Sequence, residues 1–321
     1  MKRRESILAS IVIPAFNEEA ILDRQIACIR AHVPRNLAEI IVVDNCSSDK
    51  TVAVAKGAGA DLVLSTAGTI STVRNSGVRR SQGDVLIFLD ADVFPTRQWG
   101  ERIVAAIEAV IADPMLMTGS WVSIPTEATW LEHCWFAPLQ QGSKTHINSG
   151  HMIISRKLFD RLTGFNELLR SGEDFDLSTR AIKQGARLVD DPRLKVAHEG
   201  YPKSVGEFFR REMWHGIGDF QSCHNFLRSK VAIVGVALFH LLIFGVFAAA
   251  IGADLWWLSA ALFIILFCGV SAACIRYRKS RLLIRLVNSA LYSMYFLARG
   301  CSLYAALFSS SPKRAVGSSR H

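Results

Sequence analysis

The sequence predicts an α/β domain followed by two transmembrane helices and an amphipathic helix. Before residue 230, short apolar runs alternate with longer helical patterns, which is typical of βαβ units around a sheet. Beyond it lie the longest apolar runs, long enough to cross a bilayer. The predicted parts are a domain at 1–228, a transmembrane hairpin at 229–278, a helix at 279–308 and a disordered basic tail at 309–321.

The strands and helices of the domain follow from the spacing of apolar residues, with glycine and acidic residues marking helix ends. Strands are predicted at 10–14, 39–43, 61–64, 85–89, 115–124, 187–189 and 194–197. Helices are predicted at 18–32, 49–57, 73–82, 98–112 and 173–185. Asn17, Asp44 and Asp92 come just after three strands, where ligands collect in such sheets. The aromatic-rich segment 130–136 receives no assignment.

The chain carries a formal net charge of +9, and many basic residues flank the apolar runs. This pattern favours contact with anionic membrane lipid. Nucleic acid is the rival partner, but the sequence has no zinc-finger spacing, RNA-binding aromatic motif or basic zipper helix, so we predict no nucleic-acid partner. The seven cysteines form no Cys-x-x-Cys pair, which favours reduced thiols over a metal cluster or disulfide framework.

Two apolar runs, 231–250 and 256–275, flank a short turn at 252–254 and predict a transmembrane hairpin. The basic residues beside its ends are Arg228, Lys230, Arg276, Arg278, Lys279 and Arg281. By the positive-inside rule, both ends and the preceding domain lie in the cytoplasm. The basic N-terminus resembles a signal peptide, but Pro14 ends its apolar stretch too early. We therefore expect a multi-pass protein of a bacterial-type inner membrane.

The last apolar stretch, 282–308, carries a stripe of polar residues at spacings of three and four. Its members are Arg285, Asn288, Ser289, Tyr292, Tyr295, Arg299 and Ser302. Such a helix either lies in the membrane interface with the stripe toward water, or spans the membrane with the stripe packed against neighbouring helices. We favour the interfacial arrangement.

Asp90-Ala91-Asp92 is the sharpest local feature, because two carboxylates stand one residue apart directly after a buried strand. Such a pair can offer hard oxygen ligands to Mg²⁺ or Mn²⁺, which neutralises a diphosphate. Taken alone, an ordinary acidic turn is the simpler explanation, since aspartate is common in turns. The other motifs of the chain decide between these alternatives.

Seven short motifs occur in order along the first 180 residues. They are SIVIPAFNEE at 10–19, EIIVVDNCSSDKT at 39–51, RNSG at 74–77, DAD at 90–92, NSGHMIISR at 148–156, GFNE at 164–167 and GEDFDLSTR at 172–180. Together they closely resemble the glycosyltransferases of family 2, over roughly residues 8–220, and their shared order argues against chance agreement. The resemblance implies the GT-A fold, a nucleotide-binding mixed sheet merged with an acceptor-binding half. It also implies transfer of a sugar from a UDP- or GDP-sugar to a lipid-linked or membrane-proximal glycan acceptor.

The resemblance also assigns a donor site. It places Pro14, Asn17 and Glu18 in the first donor loop, Asp44 at the base, Arg74 near the nucleotide, and Asp90 and Asp92 beside a Mn²⁺ or Mg²⁺ ion that Asp92 holds. Such residues suit the ligand, because a ribose and a base need hydrogen-bond acceptors and a diphosphate needs a cation. Taken singly, Asp44 could equally be a turn residue, and Arg74 a surface cation.

On the acceptor side, the resemblance makes Asp174 of the pair Glu173-Asp174 the general base for the acceptor hydroxyl. Direct attack by that hydroxyl inverts the anomeric configuration. The alternative is helix capping, because acidic residues favour a first helical turn, and both roles are compatible. His198 is either a metal ligand near the leaving diphosphate or a structural histidine. The histidines predicted to be structural are His133, His146, His151 and His215.

One departure from the family pattern limits the predicted function. Processive members carry Gln-x-x-Arg-Trp where this chain reads Arg210-Arg-Glu-Met-Trp214, so we expect a non-processive enzyme. Arg210 and Arg211 then contact phosphate or form a solvated basic face. Two alternatives remain. A nucleotidyltransferase acting on a sugar phosphate lacks support because the glycine-rich phosphate loop is missing, and a non-catalytic membrane scaffold would not need Asp92 and Asp174.

Overall fold

The computed structural model describes residues 7–140, 146–169, 171–220, 222–252 and 254–308. The chain divides into two compact units. In the described part, the first unit consists of 7–127 and 146–201, and the second consists of 128–140 and 202–308. The predicted tail at 309–321 and part of the predicted turn at 252–254 lie outside the described residues. The domain boundaries predicted above stay a prediction.

A mixed sheet forms the centre of the first unit. The described strands are β1 (Ala9–Ala15), β2 (Ala38–Asp44), β3 (Leu62–Ser65), β4 (Val85–Leu89), β5 (Val93–Pro95), β6 (Leu116–Gly119), β7 (His151–Ser155), β8 (Arg187–Asp190) and β9 (Val196–His198). Seven strands pair in the order β3-β2-β1-β4-β7-β6-β8, and β5 pairs with β9 in a separate antiparallel ribbon. Strands β1 to β4 are parallel, whereas β7 runs antiparallel to β4 and β6.

Helices cover both faces of this sheet. They are α1 (Leu22–Arg30), α2 (Thr51–Gly57), α3 (Ile70–Arg80), α4 (Arg97–Ala112), α5 (Arg156–Arg161) and α6 (Glu173–Lys183). Successive side chains of a strand point to opposite faces, so Ile11 and Ile13 join an apolar core with α1 and α4. Val12 between them joins a second core with α3, α5 and α6. Burial on both faces explains why the parallel strands are continuous apolar runs.

The fold class predicted from the sequence is confirmed, and most elements differ from their predicted bounds by a few residues. Helix α1 begins at Leu22 rather than 18, and the N–H groups of Glu18 and Glu19 donate to the side chains of Thr51, at the start of α2, and Asp49. The predicted strand at 115–124 ends at Gly119, because the next N–H, of Ser120, faces the imidazole of His151. Strands β5 and β7 were not predicted.

The second unit is helical. Its helices are α7 (Val205–Gly216), α8 (Cys223–Arg228), α9 (Lys230–Ala250), α10 (Trp256–Arg276) and α11 (Leu282–Phe308), and its short turns are a π-helical turn at Glu132–Phe136 and 3₁₀ turns at Ala137–Gln140 and Ile217–Phe220. Two described helices, α9 and α10, are long and apolar enough to cross a membrane. They pack against each other as a hairpin, and α11 packs against both.

The polar stripe of α11 does not face water, which corrects the orientation we favoured from the sequence. Asn288 is fully buried, and its side-chain amide donates to the carbonyl of Cys134 at 2.7 Å. Ser302 is also buried and donates to the carbonyl of Met213 in α7 at 2.7 Å. Arg299 reaches Asp219 at 3.3 Å. The stripe is polar because it bonds polar groups of the second unit; whether α11 lies on a membrane or crosses one stays a prediction.

The close packing of α3 on the sheet predicts a stability difference between two glycine substitutions. A Cβ atom at Gly77 in α3 would lie 2.6 Å from Val12 Cγ1 and 2.9 Å from Val43 Cγ2, whereas one at Gly57 in α2 would contact nothing within 4 Å. We expect Gly77→Ala to lower the free energy of unfolding by about 1–3 kcal/mol through overpacking, and Gly57→Ala to cause no loss. Urea unfolding of the purified variants measures both. Equal stability of the two variants would contradict the packing described here.

Candidate active site

The carboxyl ends of β1, β2 and β4 bring the predicted donor residues to one edge of the sheet. Asn17 follows β1, Asp44 ends β2 and Asp90 follows β4. Pro14 lies beside Val43 of β2, beyond the last β1 residue that pairs with β4. Its missing N–H therefore leaves no gap in the pairing with β4. This edge is where ligands bind in sheets of this type.

The loops after β1 and β2 are joined by hydrogen bonds between side chains and backbone. The side-chain oxygen of Asn17 accepts from the N–H of Ser48 at 2.9 Å, and the N–H of Asn17 donates to Ser47 Oγ at 2.8 Å. The N–H of Glu18 donates to Thr51 Oγ1 at 2.8 Å. These bonds hold Asn17 at a φ of 55°, a left-handed conformation that asparagine tolerates. The predicted first donor loop is therefore well defined before a ligand arrives.

The carboxylate of Asp44 is buried and serves the loop that follows it. Both of its oxygens accept from the N–H of Ser47, at 3.3 and 3.1 Å. This is the turn role considered for Asp44 from the sequence. An ionised carboxylate has about four lone-pair sites, so these bonds leave capacity for another donor. The predicted contact between Asp44 and a nucleotide base stays a prediction.

A buried guanidinium joins three elements at the centre of the site. Arg74 of α3 donates to Asp90 Oδ1 at 2.5 Å and to Glu173 Oε1 at 2.8 Å, and its side chain is 2% exposed. The hydroxyl of Ser149 also donates to Glu173 Oε1, at 2.9 Å. Arg74 is thus a bridge between the end of β4 and the start of α6 rather than a surface cation. Its predicted place near a nucleotide stays a prediction.

Two carboxylate partners stabilise the charged form of Arg74. Burial alone would lower the pKa of Arg74, but Asp90 and Glu173 outweigh that effect and raise the pKa above its ordinary value. The guanidinium therefore stays charged at every physiological pH. A buried charge without partners is strongly destabilising, so each of the three residues depends on the others.

Asp92 and His198 face each other across the β5–β9 ribbon. In this antiparallel pair Val93 lies opposite His198, which brings His198 Nε2 to 3.3 Å from Asp92 Oδ2. The other ring nitrogen, Nδ1, is buried and has no hydrogen-bond partner among the described residues. A Cβ atom at Gly200 would lie 1.9 Å from Asp92 Oδ2, so the next turn of the chain requires glycine.

The pair Asp92 and His198 suits a divalent metal ion. Carboxylate oxygen and imidazole nitrogen are both ordinary ligands of Mn²⁺, and two ligands of one ion at right angles lie about 3 Å apart. The 3.3 Å separation is close to that spacing. The described residues contain no group of three or more His, Cys, Asp or Glu side chains arranged as a metal site. The donor set therefore fits an ion that takes its remaining ligands from a substrate and water.

Asp174 lies in the first turn of α6, beside the Arg74 bridge. The helix begins after Gly172, whose φ of 78° suits glycine. Asp174 Oδ1 accepts from the N–H of Phe175 at 2.7 Å, and Oδ2 lies 3.8 Å from His146 Nε2. Burial and the adjacent Glu173 carboxylate raise the pKa of Asp174, while His146 opposes them. Asp174 therefore holds a proton more readily than an exposed aspartate would.

The predicted residues thus fall into three sets, of which the first is the loop of Asn17 and Glu18, bonded to the segment after Asp44. Arg74, Asp90 and Glu173 are bonded together with Asp174 adjacent, while Asp92 meets His198 on the ribbon. Sequence reasoning gave no role to Ser149, which bonds Glu173, or to His146, which faces Asp174. Ser149 stands in a motif that the sequence displays, NSGHMIISR, but only the folded chain shows its partner.

His151 is structural, as predicted, and lies in a buried chain of hydrogen bonds. Trp99 Nε1–H donates to His151 Nε2 at 2.9 Å. On the other side of the ring, Nδ1 lies 3.0 Å from Ser120 Oγ, which donates to the carbonyl of Leu194 at 2.5 Å. Both ring nitrogens of this buried imidazole thus have polar partners, which suits an uncharged ring. Burial accordingly lowers the pKa of His151 to about 3.

Fold and site together are those of a glycosyltransferase of the GT-A type: a mixed sheet, acidic residues at its carboxyl edge and a carboxylate at the start of a helix. Residues 10–163 match the sequence model of the family described as Glycosyl transferase family 2. This stretch includes Asp44, Arg74, Asp90 and Asp92.

Two relatives and a solved structure agree with this match. Glycosyltransferase AglE of Haloferax volcanii is 26% identical over 226 residues, which cover 66% of this chain and 73% of AglE. The pre-mycofactocin glycosyltransferase of Mycobacterium tuberculosis is 27% identical over 234 residues, and the match spans 64% of this chain but only about half, 46%, of that relative. The mannosyltransferase PcManGT from Pyrobaculum calidifontis, solved with GDP-Man and Mn²⁺, aligns with 94% of this chain and 88% of its own at a TM-score of 0.56 and 18% identity, which supports the fold.

These matches identify the chain as a glycosyltransferase that is similar to family 2 over residues 10–163.

The Arg74 bridge predicts a large stability difference between two arginines of α3. Arg74 is buried between two carboxylates, whereas Arg79 is 59% exposed and meets Glu167 at 3.3 Å. We expect Arg74→Met to lower the free energy of unfolding by about 3–5 kcal/mol, because the buried Glu173 and the partly buried Asp90 are left without a counter-charge. Arg79→Met is the control and should cost less than about 1 kcal/mol. A similar small loss in both variants, measured by urea unfolding, would refute the bridge.

The buried imidazole of His151 predicts a loss of stability in acid. The unfolded chain binds a proton at His151 near its ordinary pKa of 6.5, whereas the folded chain binds it only near 3. The unfolded state therefore holds more protons in this window, and the free energy of unfolding falls as pH falls, by up to about 1.4 kcal/mol per pH unit from this group. Unfolding measured between pH 7 and 4 should show a shallower decline in His151→Gln than in the unsubstituted protein. Parallel declines would contradict the assignment.

Proposed function

We propose that this enzyme transfers a sugar from a UDP- or GDP-sugar to a hydroxyl group of a lipid-linked or membrane-proximal acceptor, with a divalent metal ion and with inversion at the anomeric carbon. One observation carries the proposal. The buried guanidinium of Arg74 fixes Asp90, on the donor side, next to the first turn of the helix that presents Asp174. Donor and acceptor chemistry thus share one rigid network.

The nucleotide of the donor is assigned to the loops after β1 and β2. Asp44 has lone pairs beyond those that Ser47 uses, which fits acceptance from a base N–H or a ribose O–H. The loop of Pro14, Asn17 and Glu18 is hydrogen-bonded to the segment after β2, so it offers the nucleotide an ordered binding surface. PcManGT, which shares the fold, holds GDP-Man, and this supports a nucleotide-sugar donor by analogy.

Asp92 and His198 are the residues that would hold the metal ion. Their facing oxygen and nitrogen atoms lie 3.3 Å apart, close to the spacing of two ligands of one ion. When bound, the ion would neutralise the negative charge that develops on the leaving nucleoside diphosphate. The presence of Mn²⁺ in the PcManGT complex supports this assignment.

Asp174 is assigned as the general base. The acceptor oxygen forms a bond to the anomeric carbon while the bond from that carbon to the diphosphate breaks, and the hydroxyl proton passes to a carboxylate oxygen of Asp174. Attack opposite to the leaving group inverts the anomeric configuration. The raised pKa of Asp174 favours this role, because a stronger base accepts the proton more readily, provided that the carboxylate is ionised.

The apolar helices α9 and α10 are assigned to a membrane, with the catalytic residues on the cytoplasmic side. Each is 21 residues long, which is enough to cross a bilayer. Basic residues stand just before α9 and just after α10, including Arg228 and Arg278, and the positive-inside rule places such residues in the cytoplasm. An enzyme anchored in this way would act on acceptors whose hydroxyl groups lie at the membrane surface.

Two aspartate variants test this function, one at the step of donor binding and one at the step of sugar transfer. The unsubstituted protein in detergent should release UDP or GDP from one of a panel of UDP- and GDP-sugars in the presence of Mn²⁺ and membrane lipid extract. Asp92→Asn should lose metal-dependent donor binding, measured by calorimetry. Asp174→Asn should keep donor binding and lose about 10²–10⁴-fold in transfer rate, because its base is gone. Asp160→Asn, at an exposed position of α5, is the matched control and should behave as the unsubstituted protein does.

Two results would overturn parts of the proposal. Donor binding that is independent of metal in every variant would remove Asp92 and His198 from the metal site. Transfer that survives in Asp174→Asn would require another base.

A further inference from the structure

The carboxylate of Asp174 is oriented from two sides. Its Oδ1 atom accepts from the N–H of Phe175, which belongs to the same helical turn. Its Oδ2 atom faces His146 Nε2 at 3.8 Å. Both side chains are mostly buried, with 15% of Asp174 and 21% of His146 exposed. The backbone of Ser149 also bonds this carboxylate, so its neighbours come from its own helix and from the segment 146–149.

The imidazole of His146 is itself fixed by two aromatic side chains. The ring of Trp121, just after β6, meets it edge to face with the ring centres 5.4 Å apart. The ring of Phe175, in α6, meets it edge to face at 5.7 Å. These contacts pack the ring of His146 on two sides, and its Nε2 atom faces Asp174 Oδ2. Three separate segments thus cooperate to present one nitrogen to the base.

We propose that His146 is a positioning residue for the general base, holding the carboxylate of Asp174 ionised and in a single orientation toward the acceptor hydroxyl. The inference rests on the proposed function, because it takes Asp174 to be the base. It gives a role in the reaction to a histidine that sequence reasoning treated as structural.

The charges around Asp174 explain why such a residue is needed. Three carboxylates, those of Asp90, Glu173 and Asp174, lie in or beside the bridge, against the single guanidinium of Arg74. Arg74 donates to Asp90 and to Glu173. Burial and Glu173 both favour the protonated, inactive form of Asp174; His146 opposes them, together with the backbone N–H groups of Phe175 and Ser149. A protonated imidazole at this place stabilises the carboxylate that the reaction requires.

The pH dependence of transfer tests the proposal. His146→Gln removes the positive charge and keeps a polar side chain, so the acid limb of the rate profile should move to higher pH by about one unit. On the acid side of the limb the rate should then fall by up to about tenfold, with a smaller change at pH 8. His146→Lys restores a cation and should return the limb toward its original position. His224→Gln, at an exposed histidine of α8, is the control and should leave the profile unchanged.

A second measurement is independent of turnover. Carboxyl carbons of the full-length protein are labelled with ¹³C-aspartate, and the signal of Asp174 is identified by its loss in Asp174→Asn. Titration should show a higher pKa for Asp174 in His146→Gln than in the unsubstituted protein, and a value near the original in His146→Lys. An unchanged Asp174 titration in His146→Gln would overturn the pairing. If the titration shifts while no donor yields transfer, the pairing stands and the proposed function fails instead.

Discussion

The site depends on one buried ion network, the guanidinium of Arg74 between the carboxylates of Asp90 and Glu173. Removing an arginine from water costs several kcal/mol unless its donors find acceptors, and here they do. The partners stand 16 and 99 residues from Arg74 in the chain, so the charge is satisfied only when β4, α3 and α6 have assembled. The active edge of the sheet is therefore coupled to the folding of the whole first unit.

The elements that the sequence predicted well are those whose signal is local. Strand β4 has its predicted bounds because a strand buried on both faces is a continuous apolar run. Helix α11 also has its predicted bounds, since its apolar pattern is long and regular. Strands β5 and β7 were missed because both pair antiparallel with distant strands, and pairing register is not visible in a short apolar segment.

The residues of the candidate site also divide into those that the sequence predicted and those that it did not. Ordered motifs pointed to Asp44, Asp90, Asp92 and Asp174, since each stands at a strand or helix end that the pattern of the chain reveals. Their partners could not be predicted, because they come from other segments. The His198 imidazole reaches Asp92 only through the pairing of β5 with β9. Sequence patterns thus locate the acidic groups, whereas the folded chain decides which charges neutralise them.

The polar stripe of α11 shows the same limit in the second unit: the sequence reveals the polar residues, and only the folded chain reveals their partners. A π-helical turn leaves backbone carbonyls without the usual i+4 partner, and those of Cys134 and Trp135 accept instead from Asn288 and Tyr277, at 2.7 and 3.0 Å. Polar residues at helical spacing indicate only that one face of a helix contacts polar groups. Water and buried backbone carbonyls are both groups of this kind. Since Asn288 is fully buried, protein carbonyls and not water explain its polarity.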